Sequence, residues 1–322
     1  MKFRRAQLTR VAQLVALLVL AALLLLAVRR LDLARVAQEL VHVRAGWVLL
    51  ALVAFSAILP LWAAQWWLLA PPTSRRTPRR MLGVVAMTSS VLNTSPMLVG
   101  EASGVYFLAE HAGVDRASGL AVLAMDQLFV GLAKVGVLTA AASVLPLPQV
   151  MRIGVRMLAI AVSLLLVALM LLARGGASLP RALVGDGSSR LASIAIRAMD
   201  ALAPLRSFSL AGGGLLLALC KKGCELLAIL AIQHAFNVDL PASSAFVVLA
   251  ALNLATLLPL VPGNAGVFEA AVVFAYGWLG IPPERALGMA VVQHAAYFVA
   301  LALPGYAWLA RAVPRRSVAA TP

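Results

Sequence analysis

The stretch Leu257–Ala270, LLPLVPGNAGVFEA, decides how this chain folds. It lies between two apolar runs of membrane-helix character, yet it holds Pro259, Pro262, Gly263, Asn264, Gly266 and Glu269. Irregular backbone at membrane depth is tolerated only where protein buries it or where it lines a wet cavity. Pro262-Gly263 suits a tight turn, with the proline holding φ and the glycine free to take positive φ. Asn264 can then cap a helix starting near Ala265. Glu269 follows in its first turns, near the positive end of the helix dipole. The competing reading is a short external loop with Glu269 as a surface charge.

The surrounding chain makes the depth question pressing. Of its 322 residues, 62% are hydrophobic and 12% charged. A soluble domain would be nearer a quarter charged, so the composition predicts an integral membrane protein. The apolar runs are long and rich in Leu and Ala, which predicts helices rather than a barrel. The net charge of +15 fits arginine clusters that flank spans and meet anionic lipid headgroups. No zinc-finger, RRM or basic-zipper pattern is present, so nucleic acid is not an expected partner. Cys220 and Cys224 share one apolar run without a second ligand pair, which predicts helix-packing residues rather than a metal site.

The expected architecture is an all-α polytopic membrane protein, a single membrane domain over residues 1–322. Six full spans are predicted, at about 11–28, 47–69, 117–144, 153–173, 209–236 and 286–310. Residues 11–28 read as a retained first span, since no small-residue cleavage site follows them. Two further segments, 81–112 and 243–280, are apolar but broken, the first around Pro96 to Gly100 and the second around Pro259 to Gly266. If each enters and returns on one side, the cytoplasmic stretches carry 17 Lys/Arg and the external ones 6. Treating 81–99 as an ordinary crossing would move the arginines of 174–208 outside, so the positive-inside rule favours two hairpins and about eight membrane segments. Both termini and the basic loop 174–208 are then cytoplasmic. Residues 31–43 and 188–205 read as interfacial helices, the first with Leu33, Val36, Ala37 and Leu40 on one face.

The broken segments resemble each other, with a constant offset of 167 residues over the stretches that start at Gly113 and Gly280 and a longer loop upstream in the second copy. GVDRASGLAVLAMDQ from Gly113 aligns with GIPPERALGMAVVQH from Gly280, so Asp126-Gln127 matches Gln293-His294. Upstream, Glu101 matches Glu269, and Leu92-Asn93 matches Leu252-Asn253. The repeats therefore cover 81–145 and 243–310. With opposite directions of insertion they form an inverted repeat, whose broken helices meet near the midplane. Chance similarity between Ala/Gly-rich sequences is the competing explanation.

Charged side chains inside spans are costly and point to function. Span 209–236 carries Lys221, Lys222 and Glu225 near its centre, and span 117–144 carries Asp126 and Lys134. Lys221 and Glu225 are four residues apart and are expected to pair. Lys222 then needs an anion from another helix or from a ligand; a purely structural bridge to Asp126 or Glu269 is the alternative. With Glu101, Glu269 and His294 these form the candidate substrate-binding set. Pro96, Gly100, Pro259, Pro262, Gly263, Asn264 and Gly266 are the expected hairpin residues. No catalytic motif or cofactor fingerprint stands in the chain, so neither catalysis nor a cofactor is expected.

PGNAGVFE (262–269) and GIPPERA (280–286) together resemble the C-terminal signature of the lysylphosphatidylglycerol synthase transmembrane-region family, also called flippase-like membrane proteins. Gly100-Glu101, Gly113-Val114 and Asp126-Gln127 resemble its first-half motif, and LWAAQWWLLA (61–70) is also similar. The resemblance covers about 47–310. This chain departs from the family at Asn264, where Gly is usual, and at Gln65, Gly104, Gln127, Phe268 and His294, where Arg is frequent. Lys134, Lys221 and Lys222 would then supply the positive charge. The resemblance implies a bacterial inner-membrane protein that handles lipids. Multidomain relatives join such a region to a soluble aminoacyl-transferase domain, which is not expected here because the chain ends at Pro322. The leading expectation is a translocase or transporter for an anionic lipid or lipid-linked headgroup. A non-catalytic membrane partner of a lipid-modifying or glycosyl-transferring enzyme is the second reading. An ion-coupled solute transporter using Asp126, Glu225 and His294 is the third.

Overall fold

Prolines and polar caps set the helix ends of this chain. The structure is a computed structural model and describes residues 32–73, 75–95, 99–144, 147–174, 197, 199–257 and 261–312. The predicted span 11–28, Pro96, Pro259, most of the 174–208 loop and both termini lie outside these residues. The described chain is helical: α1 (Leu33–Val41), α2 (Ala45–Ser56), α3 (Ile58–Leu69), α4 (Pro78–Leu92), α5 (Val99–Ala112), α6 (Arg116–Val144), α7 (Gln149–Arg174), α8 (Phe208–Ala235), α9 (Ser244–Ala255), α10 (Val267–Trp278), α11 (Pro283–Leu301) and α12 (Leu303–Ala312).

Among the described residues, four stretches are long and apolar enough to cross a membrane: Ala45–Leu69, Arg116–Ser143, Gln149–Ala173 and Pro283–Arg311. Two of them contain a break that the sequence reading did not expect. α2 and α3 part at Ala57, because Pro60 has no N–H for the Ser56 carbonyl four residues back. α11 and α12 part at Ala302, because Pro304 deprives Ala300 in the same way. α8 is 28 residues long, so its length also suffices to cross, but three charged side chains interrupt its apolar character. α1 is capped by Asp32, whose carboxylate accepts the N–H groups of Ala34 and Arg35, within the predicted 31–43 helix.

The two broken segments each fold as a helix, a break and a second helix packed back on the first. α4 and α5 have 15 and 14 residues, and α9 and α10 have 12 each. At 1.5 Å per residue none exceeds about 23 Å, less than a hydrocarbon core of about 30 Å. Their open ends lie at opposite ends of the bundle. Thr73 bonds to the Ala112 carbonyl, and Asp115 pairs with Arg197, which gathers the chain around Thr73, Ala112, Asp115 and Arg197 at one end. Arg44 donates its N–H to Ala235, Trp47 stacks on His234, and Arg285 pairs with Glu39, which gathers the mouth of α9 and α10 at the other. Arg75, Arg76, Arg79, Arg80, Arg116, Arg206 and Arg311 make the first end basic.

Close backbone approach holds the first pair in place. Gly305 of α12 lies so near α4 that an added Cβ would run into the Ala86 carbonyl and the Ser90 hydroxyl. Ser90 in turn donates to the Ala302 carbonyl at the break between α11 and α12. Gly305→Ala is therefore expected to lower stability by about 1–3 kcal/mol through overpacking. Gly212→Ala, where a Cβ meets nothing within 4 Å, should leave it unchanged or raise it slightly. Thermal unfolding of both variants in the same detergent checks the contrast.

Candidate functional site

The tips of the two helix pairs meet at the centre of the bundle. Gly263 sits at φ +61, and a Cβ there would be 2.8 Å from the Asn93 carbonyl oxygen at the end of α4. Neither a larger residue nor a right-handed backbone would fit this turn. Asn264 does not cap the following helix, as the sequence suggested. It takes φ +53 inside a single 3₁₀ turn, Pro262–Asn264, and α10 starts only at Val267. The capping is done in reverse by Glu269, whose Oε2 accepts the Gly266 N–H at 2.7 Å.

The other oxygen of Glu269 holds His294 of α11. His294 Nδ1 lies 2.6 Å from Glu269 Oε1, and Nε2 lies 3.0 Å from the Gly263 carbonyl. Both partners are acceptors, and a neutral imidazole has one N–H. Which ring nitrogen donates is set by the tautomer. Phe268 stacks on the ring at 4.3 Å between centroids. His294 thus ties the tip of the second pair to α11 from the position where the resemblance led us to expect an arginine.

Beside the tips is a cavity of about 280 Å³. Its wall includes Glu101, Asp126, Lys134, Lys221, Lys222, Glu225 and His294 of the predicted set. Glu269 is not on the wall but behind His294. Asn93, Asn253 and Gln293 also line it, together with Trp62 and Tyr297. These were missing from the predicted site, although Asn93 and Asn253 had been visible as matching positions of the two repeats.

The charges pair differently from the sequence expectation. Lys221 turns to α6, where its Nζ lies 3.4 Å from Asp126 Oδ1 and 5.6 Å from the Trp62 ring. Lys222 takes Glu225, with both carboxylate oxygens at 2.7 Å, and Asn253 Oδ1 at 3.1 Å. Neighbouring residues of a helix point about 100° apart, so the two lysines serve different walls. α8 packs on α6 and on α9, and each lysine finds its partners on the side it faces. His294 lies on Glu269, and each of the two lysines is matched by one carboxylate.

Two charges of the set are left over. Lys134 forms no ion pair among the described residues. Glu101 Oε2 is buried with no hydrogen-bond partner among them. Glu101 is the third residue of α5, as Glu269 is of α10. The residue matching His294 in the first repeat is Gln127, with which Glu101 makes no bond. The cavity therefore offers one open ammonium and one open carboxylate, with Trp62 Nε1, Asn253 Nδ2, Asn264 Oδ1 and Gln293 Oε1 also unpartnered among the described residues, which suits a ligand with an acidic group and several hydrogen-bonding groups.

A family model described as the lysylphosphatidylglycerol synthase TM region matches residues 13–305. No curated protein matches the chain.

The buried pair between α6 and α8 can be tested directly. Asp126→Asn strands Lys221 without a counter-charge and is expected to cost about 3–5 kcal/mol of stability. Adding Lys221→Gln to that variant should recover much of the loss. Denaturation of the two single variants and the double variant, read as a cycle, measures the coupling.

Proposed function

We propose that this chain, which belongs to the lysylphosphatidylglycerol synthase TM region family, moves an anionic lipid or lipid-linked headgroup between the leaflets of a bacterial inner membrane. The observation that carries this reading is Lys134. Its ammonium is the cation left unmatched on a cavity that forms where two half-depth helix pairs meet. A charge at such depth costs at least about 2.5–3.5 kcal/mol on insertion scales, and a headgroup phosphate would offset that cost.

In this reading the chain is a multi-pass protein of about eight membrane segments, with the two helix pairs as re-entrant hairpins in an inverted repeat. The positive-inside rule puts the basic end in the cytoplasm. A headgroup enters from one end beside one hairpin, sits between the tips and leaves beside the other. Lys134 takes its phosphate, and Glu101 accepts from a hydroxyl or amino group. The cavity of about 280 Å³ lies at the small end of small-molecule sites. It accommodates a headgroup but not two acyl chains, which stay in the bilayer. The Lys221–Asp126 and Lys222–Glu225 pairs keep the wall polar while leaving no further net charge to trap the ligand. No bond is made or broken in this cycle.

Lys222 is a poor place to test the charge role, since removing it orphans Glu225. Lys134→Gln removes the open ammonium and orphans no partner. In proteoliposomes with a headgroup-labelled phosphatidylglycerol, it is expected to slow movement between leaflets about tenfold. Movement at the wild-type rate by a folded Lys134→Gln protein would defeat this reading.

A further inference from the structure

A second hollow, of about 500 Å³, opens at the basic end between α4, α5 and α12. Arg75, Arg79, Arg80 and Arg311 line it, with Glu110 as the one carboxylate on its wall. None of the four guanidiniums forms an ion pair among the described residues, even with Glu110. Arg76 behaves differently: it donates to the Ala70 carbonyl and lies 4.8 Å over the Trp67 ring. The floor is apolar, made by Met87, Gly83 and Trp308, the last packed where a Cβ of Gly83 would be.

Arginines at this end have an ordinary role in setting orientation, which needs charge alone. That role does not bring residues from a loop, the first turn of α4 and the end of α12 onto one concave surface. Gathering like charges raises the potential inside the hollow and favours an anion. Guanidinium forks match phosphate oxygens two at a time, which an ammonium cannot do. The arginines of α4 lie at its far end from Asn93, about 20 Å along the helix from the central cavity. We propose that this hollow binds a phosphate ester, carried either by an anionic lipid headgroup of the adjacent leaflet or by a water-soluble molecule.

The test uses the full chain in a neutral detergent and two ligands, dioctanoyl phosphatidylglycerol and glycerol phosphate. The variant Arg79→Lys/Arg311→Lys keeps every charge, and with it the orientation signal, but removes two forks. The wild type should bind at least one ligand, and the double variant about tenfold more weakly. The comparison is made in the Lys134→Gln background, where the proposed central site contributes nothing and the binding that remains belongs to the hollow. Binding of glycerol phosphate would mark a soluble ligand, and binding of the lipid alone a headgroup site. If neither ligand binds, if the double variant binds like its parent, or if Lys134→Gln alone abolishes binding, the proposal is wrong. Should the double variant fail to fold, Arg80→Lys serves in its place, with about a threefold loss expected and no loss counting against the site.

Discussion

Every polar backbone group released by a helix break must find a partner in a bundle with this little polar surface. The breaks in this chain are placed where such partners exist. The Gly263 carbonyl is met by His294, the Gly266 N–H by Glu269, and the Ala302 carbonyl by Ser90. On the first pair, Asn93 Nδ2 donates to the Ser89 carbonyl, and Thr94 to Ser90. The tips themselves approach where Gly263 lies against the Asn93 carbonyl, and the cavity opens beside that contact. Glu269 and His294 hold the second tip in place, and His294 also faces the cavity.

The same economy governs the charges. α8 can carry three of them at its centre because α6 and α9 present Asp126 and Asn253 to its two lysines. A buried pair of this kind contributes less to stability than it costs to break. Its effect is to set which face of α8 meets which neighbour. Against that background of matched pairs, Lys134 and Glu101 stand out as the charged groups of the cavity without an ion-pair partner among the described residues.

Long-range organisation was legible in the sequence, and local pairing was not. The runs that became α6, α7 and α8 contain no proline, so their length alone marked them. The two interrupted segments were found by Pro and Gly, and the 167-residue offset related them. The breaks at Ala57 and Ala302 were missed because one proline near the middle of an apolar run reads as a tolerated kink. The choice between Glu225 and Asp126 for Lys221 could not be read from helical spacing. Spacing of three and of four both bring side chains together, and the deciding partner comes from a helix 95 residues away. Asn264 was misassigned for a related reason: a residue suited to capping is equally suited to a left-handed turn.

The opposed entrances of the two helix pairs have an electrical consequence. If, in the proposed bilayer setting, water follows each pair inward from its own side, the two aqueous phases approach within the thickness of the touching tips at Asn93 and Gly263. The membrane potential then falls across that thin septum instead of across the whole hydrocarbon core. A singly charged headgroup passing it would do about 2.3 kcal/mol of electrical work per 100 mV, nearly all of it in one short step.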